Sequence, residues 1–315
     1  MIETNERFPE FPERLAKEEL RRRFSTDMGW TAVPQTKPGE AVFALLWEAS
    51  LHCSDTSVVL DISAGQCRYK AFFAHSQYLA IDSGIGNPKW DYSKLDLIGD
   101  AHALPIHSET IDVGLNFTSL EHYTNPAQAF SEFYRVLKPG GHLFLYVPFT
   151  IAEHEIPYDF FRYTRYGLAY LCKNSGLEIR SLRPSNSLFE TALSLVDFGL
   201  SMVPPEIHNR MNPLLDRTLR PLFRSLDHME GAAQEYPKAV PIPQMPNNYC
   251  LHATKPGDAT VSERAGSKRA LLERIATCPI CRSGVLWEEQ SIVCANCNRV
   301  FPVQKGKPNL MVPVS

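Results

Sequence analysis

The sequence has no long apolar run and no surplus of basic residues. It contains no stretch of about eighteen apolar residues, the length that a membrane-spanning helix requires. Residues 1–12 carry acidic side chains and lack the apolar centre of a secretory signal peptide. Lysine and arginine number 32 against 35 aspartate and glutamate residues, a net charge of -3, which argues against a generally basic nucleic-acid binder. These absences predict a cytoplasmic protein with no membrane partner.

Length and composition predict a large folded core. At 315 residues with 44% hydrophobic residues, the chain is long enough for one large domain and a smaller accessory domain. Eight cysteines would permit disulfides, but their arrangement favours reduced thiols together with a metal site. The scattered cysteines are Cys53, Cys67, Cys172 and Cys250. The other four form a tight quartet near the C-terminal end.

Residues 58–65 read as a buried strand followed by a turn of small residues. The strand is short, apolar and rich in β-branched residues, as in the centre of a parallel sheet. The turn at Ser63, Ala64 and Gly65 leaves the backbone open to a ligand, and a helix expected to open near Cys67 would point free N–H groups at it. Asp82 ends a second strand and offers two acceptors to ribose hydroxyls. The pattern predicts a nucleoside-cofactor site; an ordinary βαβ turn with an incidental aspartate is the alternative.

Strands and helices alternate after residue 58, which predicts a parallel sheet with helices on both faces. The predicted strands lie near residues 58–62, 78–82, 95–98, 111–116 and 142–148, followed by two more near 177–183 and 248–255. The connection over residues 84–92 is too short and turn-rich for a helix. It is expected to be a loop that borders the cofactor.

Five motifs occur in a fixed order: Asp61-x-x-x-Gly65, Asp82, Gly99-Asp-Ala-x-x-Leu-Pro105, Leu120-Glu-His122 and Arg135-Val-Leu-Lys-Pro-Gly-Gly141. As a set they resemble the class I S-adenosylmethionine-dependent methyltransferases, in the subgroup that acts mostly on small molecules. The resemblance covers residues 58–255. It implies a doubly wound, Rossmann-like α/β fold with a seven-stranded sheet and an antiparallel edge. Residues 185–247 would then be an insertion that caps the substrate pocket or makes a homodimer contact.

The same resemblance implies a set of residues that bind S-adenosylmethionine. They are Asp61, Ser63, Ala64, Gly65, Tyr69, Asp82, Ser83, Asp100, Ala101 and Asn116. Asp100 would accept a hydrogen bond from the adenine amino group, although capping of a turn is the alternative for this residue. The commonest form of the family's first motif has glycine at the places of Ser63 and Cys67. Ser63 fits that place if its φ is negative.

Residues 148–164 concentrate charged and aromatic side chains just beyond a strand, where open α/β sheets bind ligands. They resemble a His-Glu-x-Pro-x-Asp-x-x-Arg-Tyr-Thr signature of methyltransferases near carbohydrate and natural-product pathways. His154 is the candidate general base, because an imidazole titrates near neutrality. Asp159 and Arg162 would clamp the substrate, or pair with each other to fix the loop. His122 is a further catalytic candidate, with orientation of its loop as the alternative.

Two Cys-x-x-Cys pairs near the end of the chain have the spacing of a zinc ribbon. Cys278, Cys281, Cys294 and Cys297 would hold one zinc ion tetrahedrally, and a closed set of four thiolates makes that zinc structural. Disulfides or unligated thiols are the alternative. The segment resembles the small zinc-ribbon activators of tRNA and protein methyltransferases, here fused to a catalytic domain.

The predicted domains are an N-terminal helical extension (1–40), a methyltransferase domain (41–255) with the insertion 185–247, a linker (256–270) and the ribbon (271–315). The resemblance implies methylation of oxygen or nitrogen on a small carbohydrate or natural-product acceptor. One alternative is an RNA methyltransferase whose ribbon grips RNA through Lys268, Arg269, Arg274, Arg282 and the lysines of the tail. Another is a non-catalytic scaffold, suggested by the serine and cysteine at glycine places.

Overall fold

A seven-stranded sheet forms the centre of the protein, whose computed structural model describes residues 37–86, 89–223, 225–226 and 244–312. The strands are β1 (Val58–Ile62), β2 (Gln77–Asp82), β3 (Leu97–Ile98), β4 (Ile111–Phe117), β5 (Leu137–Pro148), β6 (Glu178–Pro184) and β7 (Asn248–Thr254). Their order is β3-β2-β1-β4-β5-β7-β6, with β1 to β5 parallel and β7 antiparallel to both neighbours. Strand order reverses at β1, so the sheet is doubly wound. The predicted fold class is confirmed.

Helices cover both faces of this sheet. On one face lies α1 (Lys37–Leu51), and on the other lie α2 (Pro126–Val136) and α3 (Arg165–Ser175). Further along the chain are α4 (Leu188–Ser201), α5 (Pro205–Arg217) and α6 (Lys268–Ile275). None of the helices in the described ranges is long and apolar enough to cross a membrane. The predicted N-terminal extension lies outside the described residues, except for the first residues of α1.

The alternation of side chains along β1 divides the core between the two faces. Leu60 packs in the cluster that contains Phe130 and Phe133 of α2, whereas Val59 packs in the cluster that contains Leu46 of α1. Successive side chains of a strand point to opposite faces, so a continuous apolar run is needed where both faces are covered. The apolar run at β1 therefore places this strand at the middle of the fold.

The C-terminal residues form a separate antiparallel sheet with the order β11-β10-β9-β8. Its strands are β8 (Val285–Trp287), β9 (Ser291–Cys294), β10 (Val300–Gln304) and β11 (Lys307–Pro308). This small sheet is the ribbon that the cysteine spacing predicts.

The ribbon packs on the β3 edge of the central sheet, a contact that the sequence did not predict. The Leu310 N–H donates to the Ile98 carbonyl at 2.8 Å, and the His107 N–H donates to the Ile275 carbonyl at 2.7 Å. The Arg282 guanidinium donates to the Leu104 carbonyl at 2.7 Å. Apolar residues of α6 and the ribbon belong to the same core cluster as β1 and α2. The ribbon therefore protects a sheet edge that would otherwise be open.

The turn after β1 differs from the expectation. No α-helix opens near Cys67; the chain instead makes a 3₁₀ turn at Lys70–Phe73 and enters β2 at Gln77. Cys67 has a φ of +55°, and a residue with left-handed backbone interrupts a right-handed helix. The predicted row of free N–H groups at a helix N-terminus was therefore wrong for this protein.

Candidate cofactor and acceptor site

The turn at the carboxyl end of β1 has left-handed backbone at every second residue. The φ angles of Ser63, Gly65 and Cys67 are +59°, +52° and +55°. A Cβ added to Gly65 would lie 2.9 Å from the Trp90 ring, so the space at this position favours glycine. The expectation of a negative φ at Ser63 was wrong. Ser63 and Cys67, which stand at the first and third glycine places of the family's first motif, adopt the positive φ angles that are typical of glycine.

Asp82 is tied to this turn. Its Oδ2 accepts the Gly65 N–H at 2.9 Å, and its Oδ1 accepts the Gly84 N–H at 2.8 Å. The side chain is buried, and burial raises the pKa of the carboxyl from its ordinary value. Ser83 follows directly, and its hydroxyl accepts the Ile85 N–H at 3.1 Å. The carboxylate at the tip of β2 thus lies beside the Gly65 backbone, as a ribose-binding carboxylate requires.

Asp61 and Tyr69 lie below the turn rather than on its surface. The Tyr78 hydroxyl donates to Asp61 Oδ2 at 2.5 Å, and burial raises the pKa of Asp61 to about 7. The Tyr69 ring packs 5.1 Å from the Phe117 ring, between centroids, and burial raises the pKa of its phenol to about 12. Asp61 and Tyr69 therefore make their contacts with neighbouring side chains beneath the turn that follows β1.

A hydrogen-bonded cluster joins the ends of β1 and β4. Ser63 Oγ lies 2.7 Å from the Tyr123 hydroxyl, to which Asn116 Nδ2 donates at 2.7 Å. Asn116 Nδ2 also lies 3.0 Å from the Ile62 carbonyl. Asn116 Oδ1 is buried and has no hydrogen-bond partner among the described residues. A buried acceptor without a partner is costly, so it fits a site that a ligand donor completes, such as the ammonium of a methionine-like group.

Asp100 caps the turn that follows it, which was the alternative to adenine binding for this residue. Its Oδ1 accepts the His102 N–H at 2.9 Å and lies 2.7 Å from His102 Nδ1. Ala101 follows as a buried residue that begins a 3₁₀ turn at the end of β3. These contacts fix the loop that the adenine ring would contact.

Two aromatic residues of the β2–β3 connection complete the site, and sequence reasoning missed both. Trp90 lies against Gly65, as described above. The Tyr92 hydroxyl lies 2.8 Å from a Cβ built on Gly86, and Glu155 Oε2 lies 3.7 Å from the same point. Burial and the nearby Asp82 and Glu155 carboxylates raise the pKa of Tyr92 to about 12. The loop after β2 therefore meets the loop after β5. The available signal was a pair of aromatic residues in a short loop beyond an acidic strand tip.

On the acceptor side, Glu121 is a fully buried carboxylate between two imidazoles. Its Oε1 lies 3.4 Å from His154 Nε2 and 3.7 Å from His122 Nε2. Neither carboxylate oxygen has a hydrogen-bond partner of good geometry among the described residues. Glu121 raises the pKa of His154, chiefly through the side-chain contact at Nε2. An imidazolium at either histidine would neutralise this carboxylate.

His154 and His122 each use Nδ1 on a backbone carbonyl. His154 Nδ1 lies 3.1 Å from the Ala152 carbonyl, and His122 Nδ1 lies 2.7 Å from the Tyr158 carbonyl. When Nδ1 carries the proton of a neutral imidazole, Nε2 has a lone pair. The Nε2 atom of His154 is therefore its basic atom.

Asp159 and Arg162 form a two-pronged ion pair. Arg162 Nη1 donates to Asp159 Oδ1 at 2.6 Å, and Nη2 donates to Oδ2 at 2.7 Å. This contact lowers the pKa of Asp159 to about 2. Arg162 also donates to the Ile151 and Ala152 carbonyls at 3.2 and 3.1 Å, while Asp159 accepts the His154 N–H at 2.9 Å. These contacts match the alternative in which the pair fixes the loop that carries His154.

The four ribbon cysteines come together as a donor set for one tetrahedral ion. Cys278 Sγ lies 3.7 Å from Cys297 Sγ, Cys281 Sγ lies 3.3 Å from Cys294 Sγ, and all four sulfurs lie within 4.8 Å of one another. Sulfurs bound to zinc at about 2.3 Å lie roughly 3.8 Å apart in a tetrahedron, so the set fits zinc. Hydrogen bonds from Ser283, its backbone N–H first, lower the pKa of Cys281 to about 5. A thiolate is the form that binds the metal.

Comparison with known proteins identifies two regions of the chain. Residues 43–145 match the family described as methyltransferase domain, and residues 268–306 match the family described as Trm112p-like protein. An uncharacterized 37.1 kDa protein in transposon TN4556 of Streptomyces fradiae is 32% identical over 112 residues. That match covers 30% of this chain and 32% of the relative, so it spans about a third of the relative's length.

Several solved structures share the general architecture at low identity. A putative methyltransferase from Bacillus halodurans is 18% identical, covering 67% of this chain and 98% of its own, with a TM-score of 0.39. A SAM-dependent methyltransferase from Archaeoglobus fulgidus is 15% identical, and the match covers 69% of this chain and 94% of that chain, with a TM-score of 0.42. A third structure is a complex between the Haloferax volcanii Trm112 methyltransferase activator and a putative methyltransferase. It is 14% identical, the match covers 78% of this chain and 95% of that chain, and the TM-score is 0.41. Likeness at this level carries no conclusion about activity or acceptor.

Proposed function

Because this chain contains a methyltransferase domain of the S-adenosylmethionine-dependent class followed by a Trm112p-like zinc ribbon, we propose that it methylates an oxygen or nitrogen atom of a small-molecule acceptor. The acceptor is of the carbohydrate or natural-product type. The observation that carries this proposal is the Glu121–His154 pair, which lies in the loops beyond β4 and β5. Ligands bind at these carboxyl ends of the strands in open α/β sheets.

The residues around the first turn fit the cofactor. When bound, S-adenosylmethionine supplies an electrophilic methyl group on a sulfonium. Asp82 is placed beside the Gly65 backbone, where its carboxylate would accept from the ribose hydroxyls. The cluster of Ser63, Asn116 and Tyr123 offers the buried acceptor Asn116 Oδ1 to the ammonium of the methionine end. These residues bind and orient the cofactor; they do not move protons.

His154 is the general base of the proposed reaction. Neutral His154 donates its Nδ1–H to the Ala152 carbonyl and keeps a lone pair on Nε2. Nε2 would take the proton that the acceptor oxygen or nitrogen loses when it receives the methyl group. The imidazolium that forms is stabilised by Glu121 Oε1, 3.4 Å away. Asp159 and Arg162 hold the loop, so they are positioning residues in this proposal.

Four of the basic residues that suggested an RNA substrate make contacts within the protein. Lys268 Nζ pairs with Asp96 Oδ1 at 2.6 Å, and Arg282 Nη2 pairs with Glu132 Oε2 at 3.0 Å. Arg269 pairs with Glu273 at 2.5 Å. Arg274 donates to the Glu263 carbonyl at 3.1 Å. Basic side chains that are paired within the protein offer less to phosphate groups.

The cysteines support a location in a reducing compartment. Cys53, Cys67, Cys172 and Cys250 are free thiols, and burial raises the pKa of each, to about 12 for Cys53. Thiols of this kind are typical of cytoplasmic proteins. We therefore propose the cytoplasm as the location of the reaction.

The test is a two-stage measurement on the zinc-loaded full chain. Calorimetry first measures the affinity for S-adenosylmethionine in the wild type and in Asp82→Asn, where we expect about a tenfold loss, equal to about 1.4 kcal/mol. A panel of sugars, phenols and amines, with tRNA fragments in a separate arm at low salt, is then screened for release of S-adenosylhomocysteine. Turnover of a small acceptor that is lost in His154→Gln supports the proposal. Turnover confined to the RNA arm, or no cofactor binding by folded protein, would overturn it.

A further inference from the structure

Three histidines meet on the central sheet, away from the candidate cofactor site. His52 follows the last turn of α1, His142 lies on β5 and His252 lies on β7. One ring nitrogen from each lies within 4.8 Å of the others. The ring centroids of His52 and His142 are 3.9 Å apart, and each lies 5.2 Å from that of His252. We call these residues the three-histidine cluster.

The cluster is separate from the site described above. His142 pairs with Thr254 near the start of the parallel part of β5, whereas Pro148 pairs with Asn248 at its carboxyl end. His142 and Pro148 are six positions apart along the strand, a distance of about 20 Å. The ribbon cysteines are also elsewhere, on the opposite face and at the β3 edge. Neither the cofactor site nor the ribbon accounts for the three histidines.

A carboxylate holds one of the three rings in the orientation of a metal ligand. His252 is buried, and its Nδ1 lies 3.0 Å from Glu48 Oε1 on α1. Glu48 Oε2 in turn lies 3.5 Å from Arg183 on β6. The carboxylate fixes the His252 proton on Nδ1, which leaves the Nε2 lone pair facing His142 Nδ1 at 2.9 Å. A carboxylate behind a histidine is the usual outer contact of a histidine metal ligand.

The other two rings complete the set. His142 donates its Nδ1–H to His252 Nε2 in the contact at 2.9 Å, so His142 takes the tautomer with the proton on Nε2 when both facing nitrogens bind the ion. The His52 residue is exposed and its side chain makes no hydrogen bond within the described part of the chain, so no hydrogen bond has to break for the ring to turn toward the ion. His52 also lies at the C-terminal end of α1, where the helix dipole favours a cation. Arg180 and Arg183 on β6 oppose a positive ion, and the Glu48 carboxylate offsets them.

We propose that the three-histidine cluster binds a divalent transition-metal ion that prefers nitrogen ligands, such as Zn²⁺, Ni²⁺ or Cu²⁺. Imidazole suits these ions, whereas Mg²⁺ and Ca²⁺ prefer oxygen ligands. Two nitrogens bound to zinc at about 2.0 Å lie roughly 3.3 Å apart in a tetrahedron, so the His142–His252 pair opens slightly and the exposed His52 ring turns inward. Water completes the coordination. The ion links the end of α1 to β5 and β7.

The test uses metal-loaded full-length protein, because the ribbon is expected to hold an ion of its own. After dialysis against zinc and removal of free metal, the wild type should retain two equivalents of zinc. His142→Gln and the surface variant His52→Gln should each retain one. His75→Gln, which changes an exposed histidine outside the cluster, should retain two. Retention of two equivalents by both cluster variants, or of one by the wild type, would overturn the proposal.

Cobalt substitution distinguishes the two sites in the same samples. Ribbon cobalt gives thiolate-to-metal charge-transfer absorption, which all variants should keep if the ribbon remains folded. A cobalt ion on three imidazoles and water lacks that absorption and contributes separate ligand-field bands, which the cluster variants should lose. Glu48→Gln should weaken the second site about 10- to 100-fold while the ribbon spectrum stays unchanged. An unchanged second affinity in Glu48→Gln, together with its loss in His75→Gln, would identify the second ion as adventitious surface binding.

Discussion

The Glu121 carboxylate lies 3.4 Å from the imidazole of His154, and no solvent reaches it. Both of its oxygens lack a hydrogen-bond partner among the described residues. A buried carboxylate in this state is stabilised chiefly by positive charge on a neighbour. The pair therefore favours the protonated form of His154, which is the form that general-base catalysis produces.

The pH dependence of turnover should report on this pair. The pKa of His154 is raised above its ordinary value, and Glu121 is the first cause. Because only neutral His154 accepts a proton, kcat should rise with pH through this raised pKa and reach a plateau above it. Glu121→Gln removes the first cause, so the midpoint should move to lower pH. The plateau should fall by about 10²-fold or more, since the imidazolium loses its stabilising charge. The measurement is kcat against pH in both proteins.

Cofactor affinity is the control for that experiment. Glu121→Gln and His154→Gln should bind S-adenosylmethionine within about threefold of the wild type, because neither residue contacts the first turn. A pH profile of Glu121→Gln that overlays the wild type would contradict the assigned base. A parallel loss of cofactor binding would instead indicate collapse of the site.

The ion pair of Asp159 and Arg162 should contribute to stability in a pH-dependent way. Arg162 lowers the pKa of Asp159 to about 2, so its stabilising effect is complete above the ordinary aspartate pKa and is lost as pH falls toward 2. Arg162→Gln should therefore lower the melting temperature at pH 6 to 7, with a difference from wild type that shrinks below about pH 4. Arg165→Gln, an arginine just beyond the loop, is the matched control. A difference that is constant down to pH 2 would show that the pair contributes nothing specific.

The first turn allows a direct test of backbone conformation. Ser63 has a φ of +59°, which glycine adopts freely and a β-branched residue adopts only with strain. Ser63→Val should destabilise the fold by about 1–3 kcal/mol and weaken cofactor binding more than tenfold. Ser63→Gly should keep binding within a few fold, although it loses the contact from Ser63 Oγ to the Tyr123 hydroxyl. Urea unfolding and calorimetry measure both effects. Equal affinity in the valine and glycine variants would show that the turn is not part of the cofactor site.

The sequence predicted the features that depend on local pattern. The apolar run of β1 and the two Cys-x-x-Cys pairs identified the sheet and the ribbon, because strand periodicity and ligand spacing are short-range signals. The predicted helix near Cys67 was wrong, since Cys67 has left-handed backbone that interrupts a helix, and the composition of the turn does not show this. Trp90 was missed because its importance comes from the distance to Gly65, which no local pattern encodes.

The contact between the ribbon and β3 and the three-histidine cluster were not predicted, because both join distant parts of the chain. Ile98 meets Leu310 across most of the sequence, and His52 meets His142 and His252 only when α1, β5 and β7 have packed. Each of these residues has an ordinary sequence context. Their positions follow from the strand order of the sheet, which places sequence-distant strands side by side.

The position of the ribbon on β3 predicts that it supports cofactor binding. Arg282 Nη1 donates to the Leu104 carbonyl and Nη2 pairs with Glu132, while the Leu310 N–H donates to Ile98, directly before the loop of Asp100. Arg282→Ala should loosen this edge and weaken S-adenosylmethionine binding by about tenfold, or 1.4 kcal/mol. Arg269→Ala is the matched control, because Arg269 pairs with Glu273 and stacks on Trp287 within the ribbon region itself. Chelation of the ribbon zinc should reproduce the Arg282→Ala effect. Unchanged cofactor affinity in chelated protein whose ribbon has unfolded would show that the ribbon serves another purpose.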